Sequence, residues 1–147
     1  MRPVESEPPD IAGLPRAEFA FPGPLRDRLV ESILRGEKTS TTSLEVEYEV
    51  AGEPLPQIGE RSVLVDSQDE PAAILEVTDM RIVPMGEVDL AHARDEGEGH
   101  QTLAEWRTAH ERFFQSQQMR KALDNPDFAV DDETPVVLER FRVAARL

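Results

Sequence analysis

"RSVLVDSQDEPAAILEVTDMRIVPM", residues 61–85, places β-branched and apolar runs on either side of "SQDEP". Runs of this kind, bounded by a polar, proline-containing break, predict two or three strands in a meander. A second β-prone stretch closes the chain, "PVVLERFRV" at 135–143, and "SLEVEYEV" at 43–50 alternates with the period of a half-buried strand, Leu44, Val46, Tyr48 and Val50 on one face. Strands gathered in the middle and at the end, with helical segments between them, imply an α+β fold, not a doubly wound parallel one. Five to six short strands are enough to close a small barrel.

The helical segments are marked at both ends. Leu25, Leu29, Val30, Ile33 and Leu34 follow one helix face, with Pro24 suited to the first turn and Gly36 to the left-handed cap after the last. Val88, Leu90 and Ala91 open a short helix that should stop at the glycines of "DEGEGH". In "TLAEWRTAHERFF", 102–114, Thr102 and Glu105 have capping-box spacing, while Leu103, Trp106, His110, Phe113 and Phe114 share a face expected to enter the core. The polar excursion that follows, from Ser116, carries a helical turn at its start. Residues 1–18, acidic and proline-rich, read as a flexible tail whose end makes an edge contact, leaving 19–147 as a single domain.

Thirty acidic against sixteen basic residues give a formal charge of −14. Most non-specific affinity for nucleic acids comes from phosphate neutralisation by Lys and Arg, so long RNA or DNA is disfavoured as a partner, whereas an uncharged nucleoside is not. The absence of cysteine excludes thiol nucleophiles and thiolate metal sites and fits a cytoplasmic setting. No apolar run is long enough to span a membrane, and the acidic start is unlike a secretory signal. Oligomeric state is not legible.

"RGEKTSTTSL", 35–44, sets Lys38 beside five hydroxyl residues, Thr39 to Ser43, just past a helix. A hydroxyl needs a neighbouring base to act as a nucleophile, and a desolvated lysine can be that base. A lysine after a helix is equally a capping charge, and spacing leaves both open. "HARDEGEGH", 92–100, brings two histidines and three acids together without compact metal-ligand spacing. No metal or other cofactor is expected there, but one carboxylate could reach Lys38 and Thr41.

Three pieces in order, Gly-x-Lys-x-x-Thr at 36–41, the "EGEG" to "FF" segment at 96–114 and the closing "ERFR" at 139–142, resemble the longer bacterial members of the ASCH domain family, in the PUA-like superfamily. The resemblance implies a small PUA-like β-barrel with helices packed at its openings. It also implies ligands related to nucleic acids, because some family members are amidohydrolases that remove acyl groups from the exocyclic amine of cytidine, typically in N-acetylcytidine. Their lysine, threonine and glutamate map onto Lys38, Thr41 and Glu96, with Glu98 as the rival carboxylate. Ser40, Ser43, Tyr48 and Glu98 are the implied ligand contacts.

Two departures stand out. No basic residue comes shortly after Thr41, where the shorter enzymes carry one, and Val46 occupies the place where many longer relatives carry a tryptophan that could stack on a base. The expected activity is thus the amidohydrolase, with a non-catalytic RNA- or nucleotide-binding module as the alternative and ribonuclease ranked below both.

Overall fold

The protein is described by a computed structural model that covers residues 11–147. Of the expected tail, residues 1–10 lie outside the described residues, and its end forms β1 (Arg16–Ala17). The chain continues through α1 (Pro24–Leu34), β2 (Ser40–Leu44), α2 (Glu45–Ala51), β3 (Arg61–Val65) and β4 (Pro71–Pro84), then a 3-10 turn (Met85–Glu87). It ends with α3 (Leu90–Asp95), α4 (Leu103–Phe114), α5 (Gln117–Ala122) and β5 (Pro135–Arg146). Among the described residues no helix is long and apolar enough to cross a membrane.

The strands form one mixed sheet in the order β1-β3-β4-β5-β2, antiparallel except for the β1–β3 pair. "SQDEP" is the hinge expected between β3 and β4, its turn held by the Asp66 carboxylate, which accepts from the N–H groups of Gln68 and Glu70 at 2.9 Å each. The long strands β4 and β5 bend at register shifts near Thr78 and Ala144, as bulges do.

The expected closed barrel is not found, since β1 and β2 remain at the two edges of the sheet and do not pair with each other. Two local causes are evident: β1 is only two residues long, and the chain leaves the ladder after Leu44. That exit also overturns the strand expected over Ser43 to Val50. Leu44 pairs with Val136, so the next position would face Pro135, which has no N–H to donate and is the first residue of β5. With the ladder exhausted, Glu45–Ala51 turns helical. The Glu47 carboxylate accepts the Leu44 N–H at 2.8 Å, and Gly52, at φ 67°, ends the helix.

Apolar side chains pack on both faces of β5. Val136 and Leu138 join Leu44, Trp106, Phe114 and Met119 on the side covered by α3, α4 and α5. Phe141 joins Val30, Ile33, Leu64 and Leu75 on the side of α1. The two cores meet different elements, and β2 runs along the edge between them.

Candidate active site

Strand parity sorts the hydroxyl run. Ser40 and Thr42 project toward α3, where the Ser40 hydroxyl donates to the His92 carbonyl at 3.0 Å and the Thr42 hydroxyl donates to Glu96 Oε2 at 2.6 Å. Thr41 and Ser43 project to the opposite face. Ser43 is hydrogen-bonded to the Tyr48 phenol at 3.1 Å, and Thr39 reaches the Asp95 carbonyl at 3.5 Å. Among the described residues Thr41 alone of the five keeps a hydroxyl without a hydrogen-bond partner. That hydroxyl is not sealed from solvent either.

Lys38 is the buried amine of this region, its side chain 1% exposed. Its amine donates to the Ser40 carbonyl at 2.8 Å and the Glu96 carbonyl at 3.3 Å, and it lies 3.9 Å from Glu98 Oε2. Burial lowers its pKa, against the opposing pull of the Glu96, Glu98 and Glu139 carboxylates. A neutral amine has two N–H bonds and one lone pair; with both N–H bonds given to carbonyls, the lone pair is what remains. The amine is 5.9 Å from the Phe19 ring centroid, and Phe19 packs edge-on against Phe141 at 5.7 Å. Phe141 lies two residues from Glu139 on the Thr41 side of the sheet, so Lys38 reaches toward that face.

The Glu96 side chain is turned elsewhere. Its Oε2 accepts from Thr42 and from the Trp106 indole at 2.8 Å, while Oε1 accepts from His110 Nε2 at 2.9 Å. His92 Nε2 donates to Thr42 at 2.9 Å and lies 3.4 Å from the same carboxylate. Burial would raise the Glu96 pKa, but the hydrogen bonds from His110 and His92 outweigh it and hold the group ionised, well below the ordinary range. Burial likewise opposes the charge on His110, and the bond to Glu96 prevails and raises its pKa. With Nδ1 donating to the Trp106 carbonyl at 2.9 Å, His110 is a fully protonated imidazolium, stacked on the Trp106 ring at 4.2 Å.

Lys38 is thus joined to Glu96 through the main chain, and its side-chain acid neighbour is Glu98. Burial raises the Glu98 pKa, and Lys38 opposes this. Glu96, Glu98 and His110 each offer an atom within 4.8 Å of the others, a spacing open to a divalent cation. The imidazolium has no lone pair to give and both Glu96 oxygens are engaged, so a cation there would have to dismantle the network.

Glu139, on the Thr41 face, has no place among the residues singled out in the sequence, whereas Tyr48 on the same face does. Glu139 is the register partner of Thr41, and burial, helped by Glu60 and opposed by Lys38, pushes its pKa up to about 7. Tyr48 is pushed up to about 12, mainly by burial. Nothing in "VVLERFRV" separates Glu139 from any polar strand position. Its importance comes from pairing with a strand about a hundred residues earlier.

Gly97 fixes the loop against the lysine. At φ +70° a Cβ would lie 2.5 Å from the Glu37 carbonyl oxygen and 2.8 Å from the Lys38 nitrogen, main-chain atoms that cannot yield cheaply. Gly97→Ala is therefore expected to cost at least ~2 kcal/mol, combining left-handed strain and overpacking. Urea denaturation would read this as a lower midpoint.

These features can be set beside known proteins. The sequence matches the ASCH domain family over residues 18–145. The chain belongs to that family. The ASCH domain is a PUA-like domain, and solved structures agree with the mixed α+β arrangement. Protein EF3133 from Enterococcus faecalis V583 is 27% identical, with a TM-score of 0.79 over 93% of this chain and 80% of its own. An ASCH domain from Lactobacillus crispatus JV V101 is 30% identical, with a TM-score of 0.77 over 90% of this chain and 80% of its own. No curated protein matches this ASCH sequence.

Proposed function

We propose that this ASCH domain is an amidohydrolase that removes an acyl group from the exocyclic amine of an acylated cytidine nucleoside. Thr41 is the nucleophile and Lys38 its base. The observation that carries the proposal is the single unengaged hydroxyl of the run, Thr41, on the face toward which a desolvated lysine reaches. Neutral Lys38 takes the Thr41 proton as the oxygen attacks the acyl carbonyl; the C–N bond breaks, and water hydrolyses the resulting ester. Glu98, 3.9 Å from the amine, steadies the ammonium as it forms. Glu96 supports the lysine through its carbonyl, and the neutral Tyr48 phenol, bonded to Ser43, offers the base a ring and a polar edge. An uncharged nucleoside also suits a chain of charge −14.

Incubation with N-acetylcytidine, following cytidine release, tests this. Wild-type protein should turn over, and Lys38→Ala should lose about 10²- to 10⁴-fold in rate, the usual worth of a positioned base. No release by the wild type, or full activity in the variant, would contradict the proposal.

A second reading, binding of RNA or another phosphate ligand, has one feature in its favour. A groove of about 350 Å³ beside Lys38 is lined by Arg35, Arg142 and Arg146 with Leu34 and Phe141. It ranks lower because Arg142 is paired with Glu76, Arg146 caps the Leu34 carbonyl and Arg35 lies 3.7 Å from Glu37. The groove also meets the C-terminal end of α1, whose dipole repels anions.

A further inference from the structure

We propose that Glu139 is the proton donor to the departing amine, and that its carboxylate then takes a proton from the water that releases the acyl group. This assignment rests on the amidohydrolase proposed above and names the acid that it requires.

The first argument is position. Glu139 faces Thr41 directly across the β2–β5 ladder, where paired residues of an antiparallel sheet carry Cβ atoms roughly 5 Å apart on the same face. A substrate carbonyl within reach of the Thr41 oxygen therefore brings its amide nitrogen near the Glu139 carboxyl. The second argument is availability. Glu96 spends both oxygens on its network, whereas the half-buried Glu139 carboxyl makes no hydrogen bond among the described residues and is not sealed from solvent. The charged and titratable groups around it are Glu60 from the loop before β3, Lys38 after α1 and Tyr48 on α2. Glu60 favours its acid form and Lys38 its ionised form, so both forms are within reach near neutrality.

The steps balance. Thr41 gives its proton to Lys38 as the oxygen-carbon bond forms. Glu139 gives its proton to the nitrogen as the carbon-nitrogen bond breaks, releasing a neutral amine. Water then adds to the acyl-threonine while its proton passes to the Glu139 carboxylate, and Lys38 returns its own proton to the departing Thr41 oxygen. The acid leaves, and both side chains regain their starting states.

An exocyclic amine needs a proton to depart, whereas p-nitrophenolate does not, so comparing N-acetylcytidine with p-nitrophenyl acetate isolates this role. Glu139→Gln is expected to lower kcat on N-acetylcytidine about 10²-fold or more while changing p-nitrophenyl acetate hydrolysis by only a few-fold. The decline of wild-type activity as pH rises through about 7 should disappear in the variant, and Glu139→Asp should restore part of the amide rate. Unchanged N-acetylcytidine hydrolysis in Glu139→Gln overturns the assignment alone. Equal losses on both substrates also overturn it, because they indicate a positioning residue. A wild-type protein inert toward N-acetylcytidine overturns the amidohydrolase itself.

Discussion

Glu96→Gln is expected to destabilise the protein by about 3–5 kcal/mol, the usual cost of removing one member of a buried ion pair. That is a large share of the roughly 5–15 kcal/mol that holds a domain folded. The carboxylate accepts from Thr42, Trp106 and His110, and an amide in its place turns one donor toward another while leaving the His110 imidazolium buried without its counter-charge.

The loss should depend on pH. Glu96 has a depressed pKa in the folded state, so its stabilisation is complete above the ordinary carboxylate value and fades as pH falls through the folded one. His110 has a raised pKa, so its stabilisation is complete below the ordinary imidazole value and fades as pH rises through the folded one. Both are complete between about pH 4.3 and 6.5. Urea midpoints across pH should show the wild type gaining most over Glu96→Gln inside that window, and a constant difference would argue against the charged pair.

The second large effect separates two adjacent residues. Thr41→Val should reduce cytidine release by about 10³-fold or more, as loss of a nucleophile does, yet leave stability within about 0.5 kcal/mol because the hydroxyl holds nothing. Thr42→Val should do the reverse in stability, costing about 1–3 kcal/mol by stripping a buried carboxylate of its shortest hydrogen bond. Thermal melts and turnover of the two variants, measured together, distinguish the nucleophile from the structural hydroxyl. Equal activity losses would mean that the whole network, not Thr41, had been disturbed.

Local signals carried most of the helices and the closing strand. Pro24 and Gly36 bracket α1, Thr102 caps α4, and the β-branched run predicts β5, because each signal acts within a turn or a strand. The helix at Glu45–Ala51 was illegible for the opposite reason: its pattern alternates, and what denies it a strand is Pro135, ninety residues away in sequence. The open sheet follows from the same departure. In the candidate site, Lys38 and Thr41 could be singled out by spacing and resemblance, but the direction of the Glu96 carboxylate could not, since it depends on His110 and Trp106 arriving from α4. Parity separates Thr41 from Thr42 only once β2 is seen to begin at Ser40. Glu139 became visible only through the register of two strands.

The central claim is that Thr41, whose hydroxyl has no internal hydrogen-bond partner among the described residues, becomes acylated during turnover with Lys38 as its base. Rapid mixing with p-nitrophenyl acetate tests this directly, because fast departure of p-nitrophenolate lets the acyl-enzyme accumulate. The expected result is a burst approaching one p-nitrophenolate per chain, with an acetyl group on the Thr41 peptide that is absent from Thr41→Val. Acetylation confined to Lys38, or a burst that survives unchanged in Thr41→Val, would contradict the account.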